Sequence, residues 1–205
     1  MQISEYNRDQ IEALDIVTGY LQIITAAQKK HNQDLIGHYL EFRNDVAEFQ
    51  KHYLRDICTI KCYSDNSSAC CNREGIAVFF ADMVINALTS SMRKLNNMKN
   101  CLINYQGGNK CVYLSNSGCV WRIKPIICEM FLCDYAKTSL LKKDKALMER
   151  WEQLRTEEKQ YTWPDKPVLF NELEKIFINA GFSSALMYFH KSPGLLKVKS
   201  RAGIE

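Results

Sequence analysis

All nine cysteines of this 205-residue chain fall in one stretch: Cys58, Cys62, Cys70, Cys71, Cys101, Cys111, Cys119, Cys128 and Cys133. Thiols grouped in this way stand for a thiolate metal centre, an iron–sulfur site or a disulfide framework. Disulfide frameworks belong to oxidising compartments. The N-terminus, MQISEYNRDQ, has no basic segment followed by an apolar run, so it does not read as a signal peptide. Apolar runs such as Ile76 to Phe80 are far too short to span a bilayer. An odd number of thiols also leaves one without a disulfide partner. The expectation is a cytosolic protein, free of membrane segments, whose cysteines bind metal.

The rest of the composition suits an ordinary folded domain. Hydrophobic residues make up 46% of the chain, enough for a core, and the net charge of +4 is mild. The lysines are dispersed rather than gathered into a stripe, which argues against a nucleic acid partner.

Hydrophobic periodicity is mostly helical. Ile11, Leu14, Val17, Leu21 and Ile24 predict a helix over 7–28, with Asn7 as cap and Gln10 three residues on, broken by a turn at 29–33. A second helix is predicted over 33–55. Its seam of Leu35, Tyr39, Phe42, Val46, Phe49 and Tyr53 repeats in steps of four and three. A short turn between the two predicts an antiparallel hairpin. Its seam must be covered by the rest of the chain or by a second copy in a homodimer. Further helices are predicted over 75–98, 135–160, 168–180 (ending at Gly181) and 183–190. Pro193-Gly194 and a basic tail follow. The resulting fold is mainly α: an N-terminal helical hairpin (1–55), a cysteine-rich metal-binding loop region (56–135) and a C-terminal helical region (136–205) in one domain.

The cysteines divide into Cys58-x3-Cys62-x7-Cys70-Cys71 and Cys111-x7-Cys119-x8-Cys128-x4-Cys133. Thiolates are soft ligands that select zinc, copper(I) and iron–sulfur clusters. Four fill a tetrahedral zinc site or hold a cubane cluster, and these eight would suffice for two centres. The spacings match neither a zinc ribbon nor a ferredoxin. Irregular spacing, the absence of zinc knuckles and the aromatic neighbours Tyr113 and Trp121 favour iron–sulfur over zinc. Cys70 and Cys71, if extended, point to opposite sides. Asp82, amid apolar residues, either orients the cysteine loop or faces solvent. Lys124 either offsets thiolate charge or is exposed. His52 reads as a surface residue near a helix end.

On these residues the chain resembles a cysteine-cluster family of zinc- or iron-chelating proteins, the YkgJ type. The family pattern has two spaced cysteines, an adjacent pair, a helix, then G-x-C-x-x-L, a further Cys near an aromatic, Arg-Pro, Cys, an aromatic and Cys. Here Cys58, Cys62 and Cys70-Cys71 match the first part. Cys111 with Leu114, Cys119 with Trp121, Pro125, Cys128, Phe131 and Cys133 match the second. The chain departs at Lys124, where the family has Arg, at Glu129, and in the longer gap from Cys62 to Cys70. Cys101 has no counterpart. The resemblance implies metal chelation by the eight cysteines. Flagellin lysine methylases carry a similar cluster, which implies an enzyme as the alternative, and a structural zinc module that docks a protein partner is a third reading. This chain has no glycine-rich fingerprint for a methyl-donor nucleotide.

Overall fold

The computed structural model describes residues 3–63, 71, 77–105, 107–108, 110–116 and 118–204. It is mainly helical, as the periodicity predicts. The helices are α1 (Glu5–Ile23), α2 (Ala26–Leu35), α3 (Gly37–Tyr53), α4 (Phe80–Thr89), α5 (Met92–Ile103), α6 (Ile126–Glu129), α7 (Asp134–Ser139), α8 (Lys145–Thr162), α9 (Leu169–Asn179), α10 (Tyr188–Lys191) and α11 (Pro193–Ala202). A π-helical turn spans Arg55–Tyr63, and two short strands, β1 (Leu114–Ser115) and β2 (Gly118–Cys119), pair antiparallel. No helix among the described residues is long and apolar enough to cross a membrane.

Several boundaries differ from the sequence prediction, some of them through local polar chemistry. Ser4, not Asn7, caps α1 by accepting from the Asn7 amide at 3.2 Å. Asn7 is instead buried and donates across the core to the Leu102 carbonyl at 3.0 Å. The turn predicted at 29–33 is helical. The break comes earlier, at Ile24 and Thr25, where Thr25 and Gln28 form a reciprocal capping box that starts α2. The helix predicted over 75–98 is two: Ser90 is extended, and α5 begins after Ser91. The helix predicted over 135–160 is likewise divided, because Asp144 accepts from the amides of Ala146 and Leu147 and restarts the chain as α8. The C-terminal tail is not irregular. Pro193 sits in the first turn of α11, where its missing N–H costs nothing. Gly181 does stand just past α9, at φ +86°, as predicted.

The expected N-terminal hairpin is replaced by two separate packings. Helix α1 lies mainly against α4 and α5, whereas α3 lies against α8. The seam of α3 is covered from within the chain. Phe42 stacks on Tyr161 at 5.3 Å between ring centroids, Phe49 meets Trp151 at 5.5 Å, and Tyr39 meets Phe170 at 5.6 Å. Leu35 and Tyr53, the ends of the seam, are exposed. On α9, Phe170, Leu173 and Phe177 are wholly buried, with Phe177 against Tyr20 and Phe80. One buried cluster draws on all three sequence regions. The cysteine segments lie on the side of this core bounded by α3 and α4.

Candidate metal site

Cys58 was expected in a loop but sits in the π-helical turn that continues α3, where its amide donates to the Leu54 carbonyl at 2.7 Å. Cys71 is tied to the second cysteine group directly: the Cys111 amide donates to the Cys71 carbonyl at 2.8 Å. Cys111 precedes β1, Cys119 ends β2, and Cys128 lies on α6. These five cysteines line one cavity of about 450 Å³. Tyr113, Trp121, Leu132, the α3 residues Ala47, Gln50 and Lys51, and Leu54 at its end also line it. Segments more than fifty residues apart in sequence thus contribute cysteines to the wall of the same cavity.

Two of the cysteines are built alike. The Tyr113 amide donates to Cys111 Sγ at 3.4 Å, and the Trp121 amide acts on the Cys119 sulfur in the same sense. In each case the donor belongs to the aromatic residue two positions on. The two rings then pack edge to face at 5.2 Å, both buried. Amide donors aimed at sulfur favour the thiolate. Burial works against them: it pushes the Cys111 thiol up to about 11, and it raises Cys119 despite the Trp121 amide and the Lys124 ammonium. These thiols therefore keep their protons until a cation compensates the charge, so that metal binding would release protons here.

The other predicted ligands, and Cys101 and His52, which were not predicted to ligate, stand differently. Cys133 lies off the cavity wall and acts as N-cap of α7, accepting from the Ala136 amide at 3.5 Å. The side chain of Cys62 and all of Cys70 fall outside the described residues. Cys101 is on α5, half-buried, and burial raises its thiol. His52 is exposed and packs edge-on against Tyr53. Among the described residues, no group of three or more His, Cys, Asp or Glu side chains forms a ready-made ion cage.

Polar residues behind the cavity are more prominent than the sequence suggested. Asp82 does not face solvent. It is buried, and its two carboxylate oxygens accept from the amides of Phe79 and Ile126, each at 3.0 Å. Desolvation raises its carboxyl to about 7. Asn86, one turn on and fully buried, accepts from the amides of Arg122 and Ile123 at 3.1 and 3.2 Å. Arg43, from α3, donates to the Lys124 carbonyl at 2.7 Å, to the Tyr39 hydroxyl at 2.8 Å and to Glu129 at 3.4 Å. Glu129 is buried between Arg43 and Lys124, and the ammonium of Lys124, about half exposed, stands 3.4 Å from it. Lys124 therefore meets a carboxylate as well as lying near Cys119. Arg43 and Asn86 escaped the sequence reading. The available signal for Asn86 was its place four residues after Asp82 in the largely apolar FADMVINALT of α4, and Arg43 gave none.

No family model, curated protein or solved structure matches this chain.

Proposed function

We propose that this chain is a metal-binding protein whose cysteine thiolates hold an iron–sulfur cluster or zinc, in a reducing compartment. The observation that carries this reading is the convergence of Cys58, Cys71, Cys111, Cys119 and Cys128 on one cavity. Five sulfurs of this kind form a soft donor set suited to zinc or iron–sulfur and poorly suited to magnesium or calcium. Cys62 and Cys70 are further ligand candidates by their place in the sequence. Among the described residues the buried indole N–H of Trp121 has no acceptor. Leaving such a donor unpaired costs about 1–3 kcal/mol, and an anionic centre in the cavity that Trp121 lines would be the kind of acceptor it lacks. The resemblance to chelating cysteine-cluster proteins points the same way.

The chain's own residues would do four things toward such a centre. The cysteines lose protons and ligate. The amides of Tyr113 and Trp121 direct the lone pairs of Cys111 and Cys119. The two aromatic rings and Leu132 keep water from one side. Lys124 offsets part of the thiolate charge. Zinc would supply a fixed crosslink between the two cysteine groups, and an iron–sulfur cluster would add one-electron chemistry.

An enzymatic role, the second reading, draws on the size of the cavity. About 450 Å³ lies within the range of small-molecule sites and exceeds what a single ion needs.

Anaerobic purification with a visible spectrum and iron, sulfide and zinc analyses tests the proposal. Iron with sulfide in a brown protein selects the cluster, and stoichiometric zinc in a colourless one selects zinc. Metal-free protein whose cysteines are paired as disulfides refutes both. In a metal-containing protein, Cys128→Ser should lose the metal while Cys101→Ser retains it.

A further inference from the structure

The segment from Cys119 to Cys128 has almost no regular structure between the end of β2 and the single turn of α6. The backbone from Arg122 to Glu129 is nevertheless held at five points, and four side chains from α3 and α4 do the holding. Asn86 takes the amides of Arg122 and Ile123. Arg43 donates to the carbonyl of Lys124, Asp82 takes the amide of Ile126, and Gln50 donates to the carbonyl of Glu129. The backbone is thus fixed on both sides of Cys128 and shortly after Cys119. Asp82, Asn86 and Arg43 are all nine-tenths or more buried. Burying three polar groups of this kind is unfavourable unless each is fully hydrogen-bonded. A helix with apolar residues at 82 and 86 would pack against the core at lower cost. Asp82 also caps its own helix through the Phe79 amide, Asn86 also donates to Met98 and Arg43 also meets Tyr39 and Glu129, but each gives at least one bond to the backbone of a segment that delivers two cavity cysteines.

We propose that Gln50, Asp82, Asn86 and Arg43 are positioning residues for the metal centre, fixing the separation and direction of Cys119 and Cys128 before metal arrives. The inference rests on reading the cavity as a metal site. A centre of defined geometry binds more tightly to sulfurs already in place, because less loop must be ordered on binding. Groups that orient ligands in this way are as much part of a metal site as the ligands.

The test compares the purified metal-containing protein with Asn86→Ala and Gln50→Ala. Leu173→Ala, a wholly buried α9 residue outside the segment and the four side chains that hold it, is the stability control. Metal affinity is read by transfer to a competing chelator, thiolate-to-metal absorption reports ligand geometry, and urea unfolding reports stability. Asn86→Ala should lower metal affinity by about 10–100-fold, the usual effect of removing an orienting group. It should also shift the thiolate-to-metal band. Gln50→Ala, at the cavity edge and cheaper to fold, should act in the same direction. Leu173→Ala should lose stability while keeping both affinity and spectrum. The inference is overturned if Asn86→Ala and Gln50→Ala bind and absorb as the parent does, or if Leu173→Ala loses metal as readily. A parent protein that contains no metal and takes up neither zinc nor iron overturns the metal reading itself, and this inference with it.

Discussion

Asp82 should make the protein less stable as pH rises toward neutrality. Its carboxyl is raised from 3.8 to about 7, chiefly by desolvation, against the lowering effects of Arg43 and of the Phe79 and Ile126 amides. In the unfolded chain the same group ionises near its ordinary value. Between the two values the folded state holds a proton that the unfolded state has released, so stability falls with rising pH in that window and levels off above it. A difference of about three units at 1.36 kcal/mol each bounds the loss at ~4 kcal/mol, with a slope of at most about 1.4 kcal/mol per pH unit. Asp82→Asn removes the titration while keeping the shape. Urea unfolding of both proteins at about pH 5, 6, 7 and 8, with reductant and chelator to exclude metal linkage, isolates the effect. The stability of the parent relative to the variant should decline across that range. Parallel curves, with a gap constant to about 1 kcal/mol, would refute the assignment of a desolvated carboxylate to Asp82.

Arg43→Met should be strongly destabilising, by about 3–5 kcal/mol in urea unfolding, because it leaves the buried Glu129 carboxylate with Lys124 alone and frees the Lys124 carbonyl. Cys133→Ser should leave metal content unchanged and stability close to the parent's, since serine also caps α7 well; loss of metal on elemental analysis would make Cys133 a ligand after all. Gly181→Ala should lower stability by about 1–2 kcal/mol, since φ of +86° disfavours any residue with a Cβ. Thermal unfolding of that variant is the direct check.

Much of the fold was legible as hydrophobic period. The α3 seam from Tyr39 to Phe49, the inward face of α8 at Trp151 and Leu154, and the stop of α9 at Gly181 all follow from spacing and a glycine in the right place. Helix interruptions were harder to read. Thr25, Ser91 and Asp144 each restart a helix, through side-chain caps at Thr25 and Asp144 that a hydrophobic pattern does not register. Asp82 was ambiguous for the same kind of reason. A polar residue in an apolar helix is either exposed or bonded to a distant backbone, and its partner, the Ile126 amide, lies 44 residues away.

The sequence by itself determined the helical class and the confinement of nine thiols to one stretch of the chain, because periodicity and residue type are local properties. Only the tertiary structure decided which cysteines line the same cavity. Cys58, Cys71, Cys111, Cys119 and Cys128 line one cavity while Cys133, equally plausible by spacing, caps a helix. It also decided that α1 and α3 pack on later helices instead of on each other. Such choices depend on contacts between residues distant in sequence. They are settled by which apolar faces can be buried together and which backbone groups find a partner inside the core.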